Sequence, residues 1–423
     1  MKKIPQLNEC IEVTIFHSSP SELEKYGTRY LVQLEHVNLV ISQGIKNIID
    51  ALLLKPESLE ELSNYYYQFS EKHTSGDKLL ALIEDYIPDS MMKGEELPPI
   101  KTPFILSKII LPTALVEVLC AKITWLFKPK VVVSVLSAFI LMHAFTLPYF
   151  FNSTNLGWQN VNVFLFISIM TFSFLWHELG HASACKYYNC KHGGIGFGLY
   201  FIFPVFYADV TSAWKLKKKQ RAVIDVGGLY FQCLMLVFVD LFAWIYNDPL
   251  SYKLSWTITF TMLYTLNPFF KFDGYWLLSD LSGETNLHSK MRHTMATIFK
   301  AIVTLRKPDV SVKKDNALLF TYTFLSLIFF GYCFNFIISE IQFIINTLPT
   351  EIHQWNTKYR QLTWMRLGIF IEIFELIKIL TWPIILSIIT LFFTKKICRM
   401  FFVTTPKKSL NDRLKTRSNN DIL

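Results

Sequence analysis

Hydrophobic positions follow two regimes along the 423-residue chain. Over about the first 95 residues they recur at short periods. Tyr30-Leu-Val-Gln-Leu34 and Asn38-Leu-Val-Ile-Ser42 alternate across a short polar link, which predicts a β-hairpin. Ile45–Leu54 continues as an amphipathic helix. Ser58-Leu-Glu-Glu61 is a capping box opening a second helix to about Phe69, and Leu79–Tyr86 predicts a third. Beyond this module the apolar runs lengthen. Lys101–Phe127 is apolar but interrupted by Pro103, Lys108, Pro112, Glu117 and Lys122, which predicts a connector lying at a membrane interface. Six windows then reach the ~20 residues a spanning helix needs: Val131–Phe151, Val161–Ala184, Ala222–Tyr246, Ser255–Asp280, Ala317–Ile341 and Leu367–Phe393. The last carries Glu372, Glu375 and Lys378. Gly193–Val210 is glycine-rich, then aromatic around Pro204, and too short to span. It predicts a re-entrant loop or edge hairpin, sheltered by protein because irregular backbone at bilayer depth must be.

The expected fold class is an all-α polytopic membrane protein of about six transmembrane helices, with a small α+β N-terminal domain. Its organisation reads as a cytoplasmic module over 1–95, an interfacial connector over 96–130, a membrane core over 131–394 and a basic tail over 395–423. Composition agrees, since 52% of residues are hydrophobic and 16% aromatic, too apolar for an ordinary soluble enzyme. The net charge of +9 does not point to nucleic acid, because the basic residues sit in short loops beside apolar spans. Lys215, Lys217, Lys218, Lys219 and Arg221 crowd one such loop, while Asn152–Asn160 has no Lys or Arg. Alternating from these assignments puts both termini of a multi-pass membrane protein in the cytoplasm. Lys358, Arg360 and Arg366, in a segment expected outside, run against that pattern. Met1-Lys-Lys-Ile-Pro is not followed by an apolar core, so no cleavable signal peptide is expected. Seven scattered cysteines give no disulfide framework, and Cys185-x4-Cys190-x-His192 reads as small buried thiols rather than a zinc knuckle.

Chemistry concentrates in His177-Glu178-Leu179-Gly180-His181, inside the second apolar window. On a helix this spacing sets two imidazoles on one face, where both can bind one Zn²⁺ ion, with a glutamate beside it as proton acceptor. Ionisable groups at bilayer depth are costly and so mark function. A third protein ligand is expected, and Asp273 in Asn267-Pro-Phe-Phe-Lys-Phe-Asp273-Gly-Tyr-Trp is the leading candidate. His177 lies roughly 16 residues into the second window and Asp273 roughly 18 into the fourth, so at 1.5 Å per residue both lie about 24–27 Å from the outer face. Asp209 is the rival third ligand; alternatively it holds the Gly193–Val210 segment or a histidine in place.

HExxH in one span and Asn-Pro…Asp-Gly in a later one resemble the site-2 protease family of intramembrane zinc metalloproteases. That resemblance implies His177, His181 and Asp273 as ligands of one zinc, Glu178 as general base, and Asn267 near the substrate backbone. It covers about residues 130–285. Two departures stand out: Asn267 and Asp273 are only six apart, and about 85 residues between the motifs leave no room for a PDZ domain. Phe203-Pro-Val-Phe-Tyr-Ala-Asp209, Trp214 and Asp273-Gly-Tyr-Trp-Leu-Leu-Ser-Asp280 are similar instead to the peptide zinc metalloproteases of bacterial peptide-maturation clusters. Members of that branch often carry an N-terminal unit resembling a small winged helix that binds leader peptides, and residues 1–95 fit it in size and element order. The implied function is an endopeptidase cutting a leader-bearing precursor of a ribosomally made, modified peptide, with an ABC exporter or a modifying enzyme as partner. The same chemistry serves release of a membrane-tethered regulator or clearance of signal-peptide remnants. A non-catalytic partner of an exporter is the reading from another class, and the four intact chemical residues argue against it.

Overall fold

A computed structural model describes residues 4–16, 27–34, 37–95, 104, 106–152, 162–200, 203–283, 286–303 and 317–359, with 376–377, 379–381, 383–388 and 390–391. The chain divides into two compact units, Met1–Thr285 and Asn286–Leu423. The N-terminal module opens the first. Strands β1 (Glu12–Phe16), β2 (Arg29–Leu34) and β3 (Val37–Ser42) form an antiparallel sheet in the order β1-β2-β3. The expected hairpin is β2–β3, with Tyr30 opposite Ile41 and Val32 opposite Leu39. β1 was not expected: its link to β2 is long and carries no tight-turn signal. Helices α1 (Gln43–Leu53), α2 (Leu59–Ser70) and α3 (Gly76–Tyr86) follow. Leu31, Val32, Leu34 and Ile41 are buried with Ile48, Ile49, Leu62, Leu79 and Ile83 as the module's core. Ser58 caps α2 by accepting from the Glu61 N–H at 3.2 Å, while the Glu61 carboxylate reaches back to the Glu57 N–H at 2.8 Å.

The described residues of the connector hold a strand that was not expected, β4 (Ser107–Leu111), before α4 (Thr113–Ile123) and a 3-10 turn over Thr124–Phe127. β4 pairs antiparallel with β5 (Ile195–Tyr200), which pairs in turn with β6 (Phe203–Ala208). Gly193–Val210 is thus a hairpin completed by a strand from far upstream. The Lys186 ammonium, in the last turn of the helix Val163–Tyr187, binds Glu117 of α4, and His192 Nε2 lies 3.0 Å from the same carboxylate. Lys186 holds the Glu117 carboxyl below the usual range.

Among the described residues four helices are long and apolar enough to cross a membrane. The first two are α5 (Pro129–Asn152) and α6 (Val163–Tyr187), the latter capped by Asn162, which accepts from the Leu165 N–H at 3.1 Å. Short α7 (Lys218–Asp225) then leads into the third, α8 (Gly227–Tyr246). Phe164, Ile167, Phe172, Phe238 and Trp244 are exposed on α6 and α8, as lipid-facing positions require. α6 and α8 cross at backbone distance: a Cβ on Gly180 would stand 2.3 Å from the Gly227 carbonyl oxygen. The fourth expected span is not one helix. α9 (Pro249–Thr265) stops, and α10 (Asp273–Ser282) starts after a break, because Pro268 cannot continue the hydrogen-bond ladder. His143 of α5 lies 3.0 Å from Asp240 of α8, which also accepts from Ser255 of α9, so this buried polar group finds partners within the bundle.

In the second unit, α11 (Leu287–Val303) precedes α12 (Ala317–Tyr359), the fourth long apolar helix. α12 runs well past the expected end at Ile341, so Lys358 lies on a helix rather than in a loop. Arg360, Arg366, most of the sixth expected span, the loop 153–160 and the tail 395–423 fall outside the described residues.

Candidate metal centre

The helix α6 carries His177, Glu178 and His181. Four residues advance a helix by slightly more than one turn, so the imidazoles meet on one face, with Nε2 atoms 3.0 Å apart. Asp273 arrives from a different element. α9 ends at Thr265, and Asn267 closes the break: its N–H donates to the Tyr264 carbonyl at 3.2 Å and its Oδ1 accepts from the Phe269 N–H at 2.9 Å. Only glycine fits after Asp273, since a Cβ on Gly274 would stand 1.9 Å from the Leu266 carbonyl oxygen. The turn therefore presents Asp273 in the first turn of α10, where the helix dipole favours a carboxylate. Asp273 Oδ2 lies 3.0 Å from His177 Nε2, and Oδ1 3.6 Å from His181 Nε2. A broken helix brings the carboxylate there, and not matched depth along two continuous spans.

The surrounding hydrogen bonds fix what these atoms can do. His177 Nδ1 faces Gln232 Oε1 at 3.0 Å, and His181 Nδ1 faces the Ile224 carbonyl at 2.7 Å. Each of those oxygens can only accept, so each Nδ1 carries the proton and each Nε2 presents a lone pair. Gln232 is held for this purpose by donating to Ser173 Oγ at 3.1 Å. Two lone pairs thus face one another, and the buried Asp273 Oδ2 beside them has no hydrogen-bond partner. Without a cation this arrangement is repulsive; with one it is a ligand set. His177, His181 and Asp273 each offer one ligand atom, all within 4.8 Å of one another. Donors at the usual Zn–N and Zn–O lengths stand about 3.3 Å apart in a tetrahedron, so the spacing and the His₂–carboxylate chemistry suit a catalytic zinc with a fourth position open.

Glu178 lies beside the trio, its carboxylate against the backbone of Ala208 at the end of β6. Asp209, next in the chain, is not in the cluster. Its side chain accepts from the Thr211 N–H at 3.1 Å and the Thr211 hydroxyl at 2.7 Å, and its carbonyl accepts from the Gly193 N–H at 2.7 Å. The Asp209 side chain and carbonyl therefore tie Thr211 and Gly193 together at the foot of the β5–β6 hairpin. Asn267 stands outside the ligand set, in the turn that delivers Asp273. Sequence reasoning missed Gln232, the Ile224 carbonyl and Gly228, where a Cβ would come within 2.5 Å of His177 Nε2. The one available signal was Gly227-Gly228 followed by a lone glutamine in an apolar run.

No family model and no solved structure matches the chain. Among curated proteins it is similar to the "Putative peptide zinc metalloprotease protein YydH" of Bacillus subtilis (strain 168), with 24% identity over 164 residues. That stretch is 38% of this chain and 64% of the relative's length.

Proposed function

We propose that the chain is a membrane-embedded zinc metallopeptidase of the site-2 protease type, cleaving a peptide precursor during its maturation or export. One observation carries the reading: two imidazole lone pairs and an unpartnered buried carboxylate oxygen converge on one point, each imidazole held in its metal-binding tautomer. The relative's name as a peptide zinc metalloprotease supports the same chemistry. Zinc held there would supply Lewis-acid activation of the scissile carbonyl and of water at neutral pH. Glu178 takes the proton from the attacking water and passes it to the leaving amine. β6 ends beside Glu178, so a substrate strand running along the hairpin meets the base. Asn267 contacts the substrate backbone through its amide group, its carbonyl oxygen being engaged in the turn. The N-terminal module selects the precursor, with the free edge of β3 as a place where an extended leader adds by main-chain hydrogen bonds. A membrane with both termini cytoplasmic, and an exporter or modifying enzyme as partner, complete the reading.

The test uses full-length protein in detergent with short precursors encoded beside its gene, read by mass spectrometry. A single cut, abolished by chelation and restored by zinc, is expected. Cleavage of membrane-tethered regulators or signal-peptide remnants, with those precursors left intact, would shift the substrate assignment and keep the chemistry.

A further inference from the structure

We propose that Arg221 is a positioning residue for the metal centre and that Phe16 aligns it, so that the N-terminal module helps set the geometry of the ligands. The inference rests on the metal-site reading above. Arg221, on α7, is 5% exposed. A guanidinium so buried is tolerated only where its donors are used. They are: Nε and Nη2 reach Asp280 Oδ1 at 2.8 and 2.7 Å, and Nη1 donates to the Leu216 carbonyl at 3.0 Å. Asp280 lies seven residues after Asp273 on the same helix, about two turns along its axis. Three residues beyond Arg221, the Ile224 carbonyl holds His181 Nδ1. One short helix therefore braces two of the three ligands, His181 directly and Asp273 through α10.

What aligns Arg221 comes from the other end of the chain. Its Cζ lies 5.8 Å from the Phe16 ring and 5.6 Å from the Trp214 ring, and those rings are 6.3 Å apart at an interplanar angle of 28°. A guanidinium beside two aromatic faces is attracted by their quadrupoles and held to one plane. Phe16 is the last residue of β1 and is 3% exposed, whereas its neighbour Ile15 is 57% exposed. The strand end thus turns its large ring into the membrane core's basic segment. Trp214 stands edge-on to Trp276 of α10, with centroids 6.3 Å apart at 89°, a second route to the same helix. Glu12 is exposed and Lys215 partly buried, and at 4.0 Å apart the pair adds little to this docking. Phe16, the buried side chain of β1, thus lies beside the residue that orients the Asp273 helix.

Simple docking needs only apolar volume at position 16; alignment of a guanidinium needs a flat ring. That difference is measurable in full-length protein, by zinc affinity against a competing chelator and by the visible spectrum after cobalt substitution. Phe16→Leu keeps an apolar side chain with most of the volume but no ring, and should weaken zinc about 3–10-fold and shift the cobalt bands, while Phe16→Trp, which keeps a flat ring in a larger side chain, should lose clearly less than Phe16→Leu. Arg221→Lys keeps the charge but not the fork and should weaken zinc about tenfold or more. The double variant Phe16→Leu/Arg221→Lys should be no weaker than Arg221→Lys alone, because both act through one contact. Native zinc affinity and cobalt spectrum in Phe16→Leu overturn the proposal, as does equal loss in Phe16→Leu and Phe16→Trp. If Arg221→Lys does not fold, the two position-16 variants decide alone. Wild-type protein without zinc affinity would sink the proposed function and this inference together; wild-type affinity with an indifferent position 16 sinks only the inference.

Discussion

Gln232→Leu tests the argument from tautomers. Leucine has nearly the shape of glutamine but no polar atom, and the site is 1% exposed, so no water replaces what is lost. The His177 Nδ1–H, now facing Gln232 Oε1 at 3.0 Å, would be left in an apolar wall. An unsatisfied buried donor costs about 1–3 kcal/mol. The imidazole escapes that cost by moving its proton to Nε2, the atom that must bind metal, or by turning away. Either route charges the cost to metal binding, which corresponds to about 5–150-fold in affinity. Removing a partner of a metal-binding histidine commonly costs 10–100-fold, so about that loss is expected. Gln232→Glu is the control: a carboxylate still accepts from Nδ1–H and should keep zinc affinity within a few-fold, although it loses the donation to Ser173. Chelator competition on detergent-purified, folded protein gives the numbers. Wild-type zinc affinity in Gln232→Leu, or equal loss in the two variants, would refute the tautomer argument.

Gly228→Ala adds a methyl 2.5 Å from His177 Nε2 without removing any ligand. Overpacking of about 1–3 kcal/mol should fall on the imidazole and lower zinc affinity about tenfold, read by the same titration. Asp273→Ala should abolish stoichiometric zinc, whereas Asp209→Ala should keep the metal and loosen the hairpin; metal analysis of the two purified proteins decides, and the reverse outcome moves the ligand role to Asp209. Chelation should lower the thermal midpoint of the wild type, because a ligand that binds only the folded state stabilises it, and should leave Asp273→Ala unchanged. A differential scan with and without chelator checks this.

The parts of the site legible in the sequence are those set by local spacing. HExxH needs only the helical repeat, and Asp273 announces itself as a carboxylate in an apolar run with Pro268 and Gly274 close by. The supporting atoms carry no such mark. Gln232 reads as one polar residue in a spanning helix, and the Ile224 carbonyl is backbone, invisible to any residue pattern. The hairpin at Gly193–Val210 was legible from its glycines and aromatics, but its third strand was not. β4 joins it from more than 80 residues upstream, and register across such a gap is set by packing. The fourth span failed for a related reason. Hydropathy averages over a window, so Ser255–Asp280 reads as continuous, while Asn267, Pro268 and Gly274 set a turn that hydropathy does not weigh. That turn brings Asp273 beside His177 and His181. Phe16 was hidden likewise, since nothing in Glu12–Phe16 tells that its final ring is claimed by an arginine over 200 residues away.

The central claim is that Glu178 moves protons at a zinc held by His177, His181 and Asp273. Glu178→Gln tests it most directly, because the amide keeps the shape and cannot accept the proton. The measurement is turnover of a precursor that the wild type cleaves, on protein shown to hold one zinc per chain. The account predicts full zinc occupancy with turnover reduced about 10²–10⁴-fold, the usual worth of a general base. Zinc-loaded Glu178→Gln that cuts at the wild-type rate would contradict it.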